Sequence, residues 1–219
     1  MDNVVSMDAH RRTRRGPRSA PRRRPTVSFA FDLASPATYL AAERVDRLFP
    51  GVRWSPALVA ADAAGLPARE ADRELRQVVR ARAAALRMPL VWPERRAAGL
   101  PAMRIAHFAA AEGGAGPFVL AASRLAFCGG FDLDDPEVLA EAAVAAGLPL
   151  EASLRAGRDR ARDGEMAEAG RVLVAHGADR LPVVRVGRLL FAGEERLAEA
   201  AAAARAPGAT GALAEHPGA

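Results

Sequence analysis

A Ser-Pro pair at the start of a helix is the first feature of this sequence that could do chemistry. Ser35 and Pro36 follow a short apolar strand, Val27–Phe31, and precede an apolar helical segment that contains Tyr39. Serine is a good N-cap, and proline suits the first helical position because its missing N–H would be unpaired there. Free N–H groups at a helix end attract anions, and a hydroxyl beside them can hydrogen-bond a thiolate. The residues leave open whether Ser35 does this or is only an N-cap.

A second segment that could bind a ligand is Leu181-Pro182, which precedes a β-branched run and the acidic pair Glu194-Glu195. Most X-Pro bonds in folded proteins are trans, so the sequence alone predicts a trans peptide here. The acidic pair opens a predicted final helix, where a carboxylate stabilises the helix N-terminus. Asp32 directly follows the first strand, and it is either a turn residue or a polar group near the site.

Cysteine and histidine usage excludes two kinds of chemistry. Ser35 and Thr38 stand where a redox protein would carry Cys-x-x-Cys, and Cys128 is the single cysteine. Dithiol exchange within one chain is therefore impossible. We expect Cys128 to be a buried small side chain far from the Ser-Pro pair. The four histidines have no metal-ligand spacing, so we expect no metal site.

The strong positive charge belongs to the N-terminal segment alone. Residues 1–25 hold eight arginines and two aspartates, a local charge of +6 against +5 for the whole chain, which leaves −1 for residues 26–219. We interpret residues 1–25 as a disordered tail; a nucleic-acid arm or an export signal are alternatives. The nearly neutral charge of residues 26–219 does not support specific nucleic-acid binding. No apolar run in the sequence is long enough for a membrane span. We expect a cytoplasmic protein.

The order of predicted elements is β-α-β, a helical block, then α-β-β-α. This order predicts an α/β fold whose sheet is interrupted by an all-helical insertion. We assign 26–60 and 161–205 to the α/β domain, 61–160 to an insertion of four or five helices, and 206–219 to a second disordered tail. The predicted strands are 27–31, 52–55, 183–186 and 188–191, and the last two helices are 165–176 and 193–205.

Five segments in this order resemble the thioredoxin-like superfamily with a helical insertion, the DsbA-like group. That group includes the 2-hydroxychromene-2-carboxylate isomerases and kappa-class glutathione transferases, which the chain resembles. The matching segments are Phe31-Asp32-x-x-Ser35-Pro36-x-x-Tyr39, Leu86-Arg87-Met88-Pro89-Leu90-x-Trp92-Pro93, Asp132–Leu139, Leu181-Pro182-Val183-Val184 and Gly193–Leu197. Together they span roughly residues 26–204.

The resemblance implies a thioredoxin-like domain, a cis peptide before Pro182 and a site for glutathione or another low-molecular-weight thiol. Ser35 would be the catalytic residue that stabilises the thiolate. The backbone of Leu181, together with Pro182, would bind the cofactor, and Glu195, or Glu194 instead, would bind its amine. Asp32, Tyr39 and Met103 would contact the substrate.

One departure from the isomerase pattern bears on function. In the run Leu100-Pro101-Ala102-Met103, Met103 stands where the resemblance leads us to expect an asparagine. A thioether thus replaces a polar contact. The implied function is a thiol-dependent isomerase or transferase that acts on an electrophilic aromatic or conjugated small molecule, as a homodimer. The alternative is a non-catalytic small-molecule or protein-binding member of the fold.

Overall fold

A four-stranded mixed sheet forms the centre of the α/β domain. The computed structural model describes residues 25–59, 68–93 and 99–206, so the predicted tails lie outside it except for Pro25 and Ala206. The strand order is β2-β1-β3-β4, with β1 parallel to β2 and antiparallel to β3, and β3 antiparallel to β4. The strands are β1 (Val27–Phe31), β2 (Arg53–Pro56), β3 (Val183–Val186) and β4 (Leu189–Ala192).

Helices account for most of the remaining described residues. Their bounds are α1 (Pro36–Leu48), α2 (Ala68–Leu86), α3 (Leu100–Ala111), α4 (Ala115–Phe127), α5 (Pro136–Ala145), α6 (Leu150–Arg158), α7 (Arg162–Ala175) and α8 (Leu197–Arg205). Helices α2 to α6 fall within the predicted insertion. No helix in the described ranges is both long and apolar enough to cross a membrane.

Aromatic residues of β1 and β2 begin the core. Phe29 and Phe31 lie two residues apart on one strand, so both side chains project from the same face, and neither is exposed to solvent. The ring of Trp54 on β2 meets the Phe29 ring edge-on, with centroids 4.9 Å apart. Its indole N–H donates to Asp46 on α1 at 3.2 Å, so α1 is held over this aromatic layer.

A partly buried ion pair joins α3 to α7. The Arg104 guanidinium on α3 donates two hydrogen bonds of 2.7 Å to the Asp163 carboxylate. A third bond, of 3.2 Å, runs from Arg104 to the carbonyl of Gly157 at the end of α6. These bonds satisfy a buried guanidinium, which would otherwise be costly in the protein interior.

The predicted last helix begins four residues later than expected. Gly193 has φ of 95°, which is left-handed backbone that cannot continue into a right-handed helix. Glu194–Arg196 then forms a single 3-10 turn before α8 begins at Leu197. The shift places the acidic pair in a tight turn and not in the first turn of α8. The preceding helix, α7, begins three residues earlier than the predicted 165–176.

Candidate functional site

The Ser-Pro loop and the Leu181-Pro182 peptide leave the sheet at the same end. Strands β1 and β3 are antiparallel, and Ala30 pairs with Val183. The chain beyond β1 and the chain just before β3 therefore emerge side by side. The peptide between Leu181 and Pro182 is cis, which confirms the isomer implied by the resemblance and corrects the trans form predicted from the residues alone.

The loop between β1 and α1 satisfies three of its own backbone N–H groups locally. The Asp32 carboxylate accepts from the N–H of Ala34 at 2.8 Å, and its carbonyl accepts from the N–H of Ser35 at 3.1 Å. The N–H of Asp32 itself donates to the Thr38 hydroxyl at 3.4 Å. Asp32 is thus the turn residue that one of its two readings predicted, and burial raises the pKa of its carboxyl while the Ala34 bond opposes that rise.

Ser35 occupies the N-cap position of α1, but its hydroxyl makes no cap hydrogen bond. Ser35 therefore has the N-cap backbone position that the sequence predicts, but its side chain does not cap the helix. Pro36 has no N–H, and the N–H of Ala37 belongs to the first turn, where helix geometry provides no acceptor within the helix. A half-buried hydroxyl and a helix N-terminus are therefore available to a ligand at this point.

A narrow apolar cleft of about 40 Å³ lies beside this loop. Its lining includes Leu33, Ala34 and Pro36 of the loop and three aromatic side chains, Trp92, Phe127 and Phe131. The Trp92 and Phe127 rings meet edge-on with centroids 6.5 Å apart. Trp92 belongs to the Leu86–Pro93 segment, one of the five segments that carry the resemblance, whereas Phe127 and Phe131 were not anticipated.

Trp92 carries two polar features at this cleft. The guanidinium carbon of Arg76, on α2, lies 4.7 Å from the centroid of its ring, within the range of a cation–π contact. The indole N–H is buried and has no hydrogen-bond partner among the described residues. Because a buried N–H without a partner is rare, this donor is a group that a ligand with an acceptor oxygen could satisfy.

Tyr39 lies one helical turn after Ser35 and is buried against Phe127, with ring centroids 5.9 Å apart. Its hydroxyl lies 2.9 Å from the carbonyl oxygen of Pro89 and 3.1 Å from Sγ of Cys128. A carbonyl only accepts, so the tyrosine proton goes to Pro89 and the Cys128 thiol donates to the tyrosine oxygen. Burial raises the pKa of Tyr39, because it disfavours the charged phenolate.

This hydrogen-bonded chain corrects the expected position of Cys128. The sequence analysis placed Cys128 far from the Ser-Pro pair, whereas its thiol touches the helix that the pair opens. Helices α1 and α4 pack side by side, which brings the end of α4 over Tyr39. Cys128 is half-buried. Its thiol is hydrogen-bonded to Tyr39 and so helps to hold the end of α4 against α1.

Glu194 is a buried carboxylate with both oxygens engaged. One oxygen accepts from Arg44 on α1, and the other from Nε of Arg82 on α2 at 2.5 Å. The three side chains connect α1, α2 and the turn before α8. Apart from the abundance of arginine, no sequence pattern predicts this cluster, since the two partners lie 150 and 112 residues away from Glu194.

Glu195 is the exposed member of the acidic pair and lies beside the cis peptide. Its carboxylate folds back over Gly193, where it occupies the space of a missing Cβ. It accepts from Arg180, the residue before Leu181, at 2.5 Å. No hydrogen bond joins the N–H or C=O of Leu181 to another residue in the described ranges. This corner of the molecule thus offers free backbone groups and a solvent-accessible carboxylate.

Met103 is completely buried on α3, behind the Ser-Pro loop. Its sulfur lies 3.2 Å from the backbone nitrogen of Leu33. The sequence analysis assigned Met103 to substrate contact; the structure places it at the base of the loop that presents Ser35.

Comparison with known proteins supports the fold. No known family profile matches the chain, and no curated protein sequence matches it significantly. Among solved structures, a 2-hydroxychromene-2-carboxylate isomerase is similar with a TM-score of 0.67 and 19% identity, covering 81% of this chain and 93% of the isomerase. A probable DsbA oxidoreductase from Streptomyces coelicolor has a TM-score of 0.59 and 23% identity, with 84% of this chain and 92% of the oxidoreductase covered.

A protein described as a putative disulfide isomerase, from Nitrosomonas europaea, is similar with a TM-score of 0.61 and 16% identity over 81% of this chain and 96% of its own. These similarities, together with the mixed sheet and its helical insertion, show a DsbA-like thioredoxin fold, as the sequence analysis predicted.

Proposed function

We propose that this protein is a thiol-cofactor-dependent isomerase or transferase of the 2-hydroxychromene-2-carboxylate isomerase type. The observation that carries the proposal is the Ser35 hydroxyl, which stands at a helix N-terminus without a cap hydrogen bond. The cis Leu181-Pro182 peptide leaves the sheet at the same end. Such a pair of elements is suited to holding the sulfur of glutathione or another low-molecular-weight thiol.

The energetics support a hydroxyl and a helix end acting together. Lowering a thiol pKa by two units requires a preference of about 2.7 kcal/mol for the anion. A helix N-terminus contributes roughly 0.3–2 kcal/mol, which falls short. A hydrogen bond to a charged group adds about 1.5–3 kcal/mol, so the combination suffices. Ser35 is therefore the residue that decides whether a bound thiol is ionised.

The rest of the cofactor fits groups beside the cis peptide. The free N–H and C=O of Leu181 can pair with a peptide-like ligand in the manner of an added strand. Glu195 is the better of the two acids for binding an amine, because it is half exposed whereas Glu194 is buried between two arginines. An incoming amine would replace Arg180 as the partner of Glu195.

The cleft beside the Ser-Pro loop suits a planar conjugated substrate. Trp92, Phe127 and Phe131 provide apolar faces against which a flat molecule can stack. The Trp92 N–H, which has no hydrogen-bond partner among the described residues, favours a substrate with an acceptor oxygen. When bound, a thiolate supplies a nucleophile that adds reversibly to a conjugated double bond and so permits cis–trans rearrangement. The chain's part is to ionise the thiol and to exclude water from the cleft.

The test is Ser35→Ala assayed with glutathione and 2-hydroxychromene-2-carboxylate. We expect thiol-dependent turnover to fall by roughly 100-fold, because the lost hydrogen bond to a charged group is of that size. Ser28→Ala is the matched control, since Ser28 lies toward the opposite end of β1. It should retain full turnover, and both variants should unfold within about 0.5 kcal/mol of the parent. Unchanged turnover in Ser35→Ala would remove the assigned role.

The cleft, at about 40 Å³, is smaller than a conjugated bicyclic substrate, which favours a second candidate: a non-catalytic small-molecule or protein-binding member of the fold. A thermal-shift screen against glutathione, mycothiol and other small thiols separates the possibilities. Stabilisation together with turnover supports the enzyme, whereas stabilisation without turnover supports a thiol-binding protein. If no thiol stabilises the chain, both thiol-based functions are wrong.

A further inference from the structure

The backbone of the Ser-Pro loop is held to the helical layer through a methionine sulfur. Sδ of Met103 lies 3.2 Å from the nitrogen of Leu33, and both residues are fully buried. A thioether is a weak acceptor, but a buried N–H without any acceptor is unfavourable. Leu33 is inaccessible to solvent, so water cannot accept from this N–H, and the sulfur is its acceptor among the described residues.

The backbone N–H of Leu33 donates to an acceptor outside the loop, unlike the N–H groups of its neighbours. The N–H groups of Asp32, Ala34 and Ser35 donate to atoms within Asp32–Thr38. Leu33 alone among these four residues donates to another element, seventy positions along the chain. The internal bonds fix the shape of the loop, whereas the bond to Met103 fixes its position relative to α3.

The first turn of α3 also packs against the next residue of the loop. Gly99, just before α3, has left-handed backbone with φ of 63°. A Cβ built on it would lie 3.6 Å from the nitrogen of Ala34. The carbonyl of Gly99 accepts from the N–H of Met103 at 2.9 Å, so one helical turn carries both contacts to the loop.

We propose that Met103 is a positioning residue for Ser35, and that its sulfur acts as a hydrogen-bond acceptor and not only as packing volume. The inference rests on the proposed function for its catalytic consequence, since it concerns the loop that presents the Ser35 hydroxyl. This role differs from the substrate contact that the sequence analysis expected, because Met103 lies buried behind the Ser-Pro loop. A residue of the same size without an acceptor should release the loop while leaving the core filled.

The first test measures amide hydrogen exchange at Leu33 in the full chain without any ligand. Met103→Leu keeps an apolar side chain of similar volume but removes the acceptor, and we expect Leu33 to exchange roughly tenfold faster. Met103→Gln restores an acceptor oxygen on an unbranched side chain, and should return part of the protection.

Met166→Leu is the matched control. Met166 is also fully buried, and no hydrogen bond to its sulfur is found in the described part of the chain. It should leave exchange at Leu33 unchanged even if it lowers the melting temperature by as much as Met103→Leu does. Equal exchange in Met103→Leu and the parent protein would overturn the proposal. Faster exchange that Met103→Gln fails to reduce would also overturn it, because packing alone would then explain the effect.

The second test measures glutathione binding and turnover in the same variants. We expect Met103→Leu to weaken glutathione binding by roughly tenfold and to lower kcat, with Met166→Leu unchanged in both. If the parent protein binds no glutathione, the proposed function fails, but the exchange experiment still decides the role of Met103. If the parent binds glutathione and Met103→Leu binds it equally well, the positioning role fails and the proposed function stands.

Discussion

At the scale of single residues, hydrogen-bond partners decide which polar side chains are available to a ligand. The thiol of Cys128 donates to Tyr39, and Tyr39 donates to Pro89, so neither group is available. Glu194 is held between two arginines. The Ser35 hydroxyl makes no cap bond. Sequence could rank Ser35 as a candidate, but only coordinates show that its hydroxyl is unused, because the N-cap alternative has the same residue signature.

The ion pair of Arg104 and Asp163 gives a pH-dependent prediction. Hydrogen bonds from Arg104 hold the pKa of Asp163 below the ordinary value of 3.8. A lowered pKa in the folded state adds stability above pH 3.8, and this stability is lost as the pH falls through the folded value. Asp163→Asn should therefore destabilise the protein at pH 7, by roughly 1–3 kcal/mol, since Asp163 is one third exposed.

Urea unfolding of both proteins from pH 7 down to pH 2 measures this difference. The difference in the free energy of unfolding between the parent and Asp163→Asn should be constant near neutrality and become smaller in acid. A difference that stays the same at every pH would show that the pair contributes through packing and not through charge.

At the scale of elements, close approach between backbones fixes where α7 lies against the sheet. Gly170 on α7 faces the chain just after β2, and a Cβ there would lie 1.8 Å from the carbonyl oxygen of Leu58. The N–H of Leu58 donates to the carbonyl of Met166 at 3.0 Å. The sequence predicted a helix here but not this contact, since a glycine inside a helix has several explanations.

Gly170→Ala should destabilise the protein by roughly 2–4 kcal/mol, because a methyl group would overlap the Leu58 carbonyl. Gly164→Ala, on the same helix, is the matched control. Nothing lies within 4 Å of its added Cβ, so it should stabilise the protein by about 0.5–1 kcal/mol through helix propensity. Thermal unfolding monitored by circular dichroism measures both. Equal melting temperatures for the two variants would contradict the close packing of α7.

At the scale of the whole molecule, the order of elements carried most of the information about the fold. The β-α-β start, the helical block and the α-β-β-α end predicted an α/β fold with a helical insertion, and the resemblance then implied the DsbA-like architecture that the structure and its neighbours show. Strand β1 was predicted at its observed bounds, because its alternation is clear and Pro36 marks where the next helix begins. The cis peptide before Pro182 came from the resemblance alone, since a sequence does not encode a peptide isomer locally.

The site was predicted less completely than the fold, for a physical reason. Ser35 and Pro182 lie next to strands whose register can be inferred, so their proximity follows from topology. Phe127, Arg44 and Arg82 reach their partners through the packing of helices, and periodicity gives only the face of a helix and not its neighbour. The sequence analysis therefore did not predict the aromatic lining of the cleft or the two arginine partners of Glu194. It also placed Cys128 too far from the Ser-Pro pair.

The most direct test of the central claim is a crystal structure of this protein grown with glutathione. The account predicts that the cofactor sulfur lies within about 3.5 Å of the Ser35 hydroxyl and that the cofactor backbone pairs with Leu181. Glutathione bound elsewhere, or bound with its sulfur turned away from Ser35, would contradict the account.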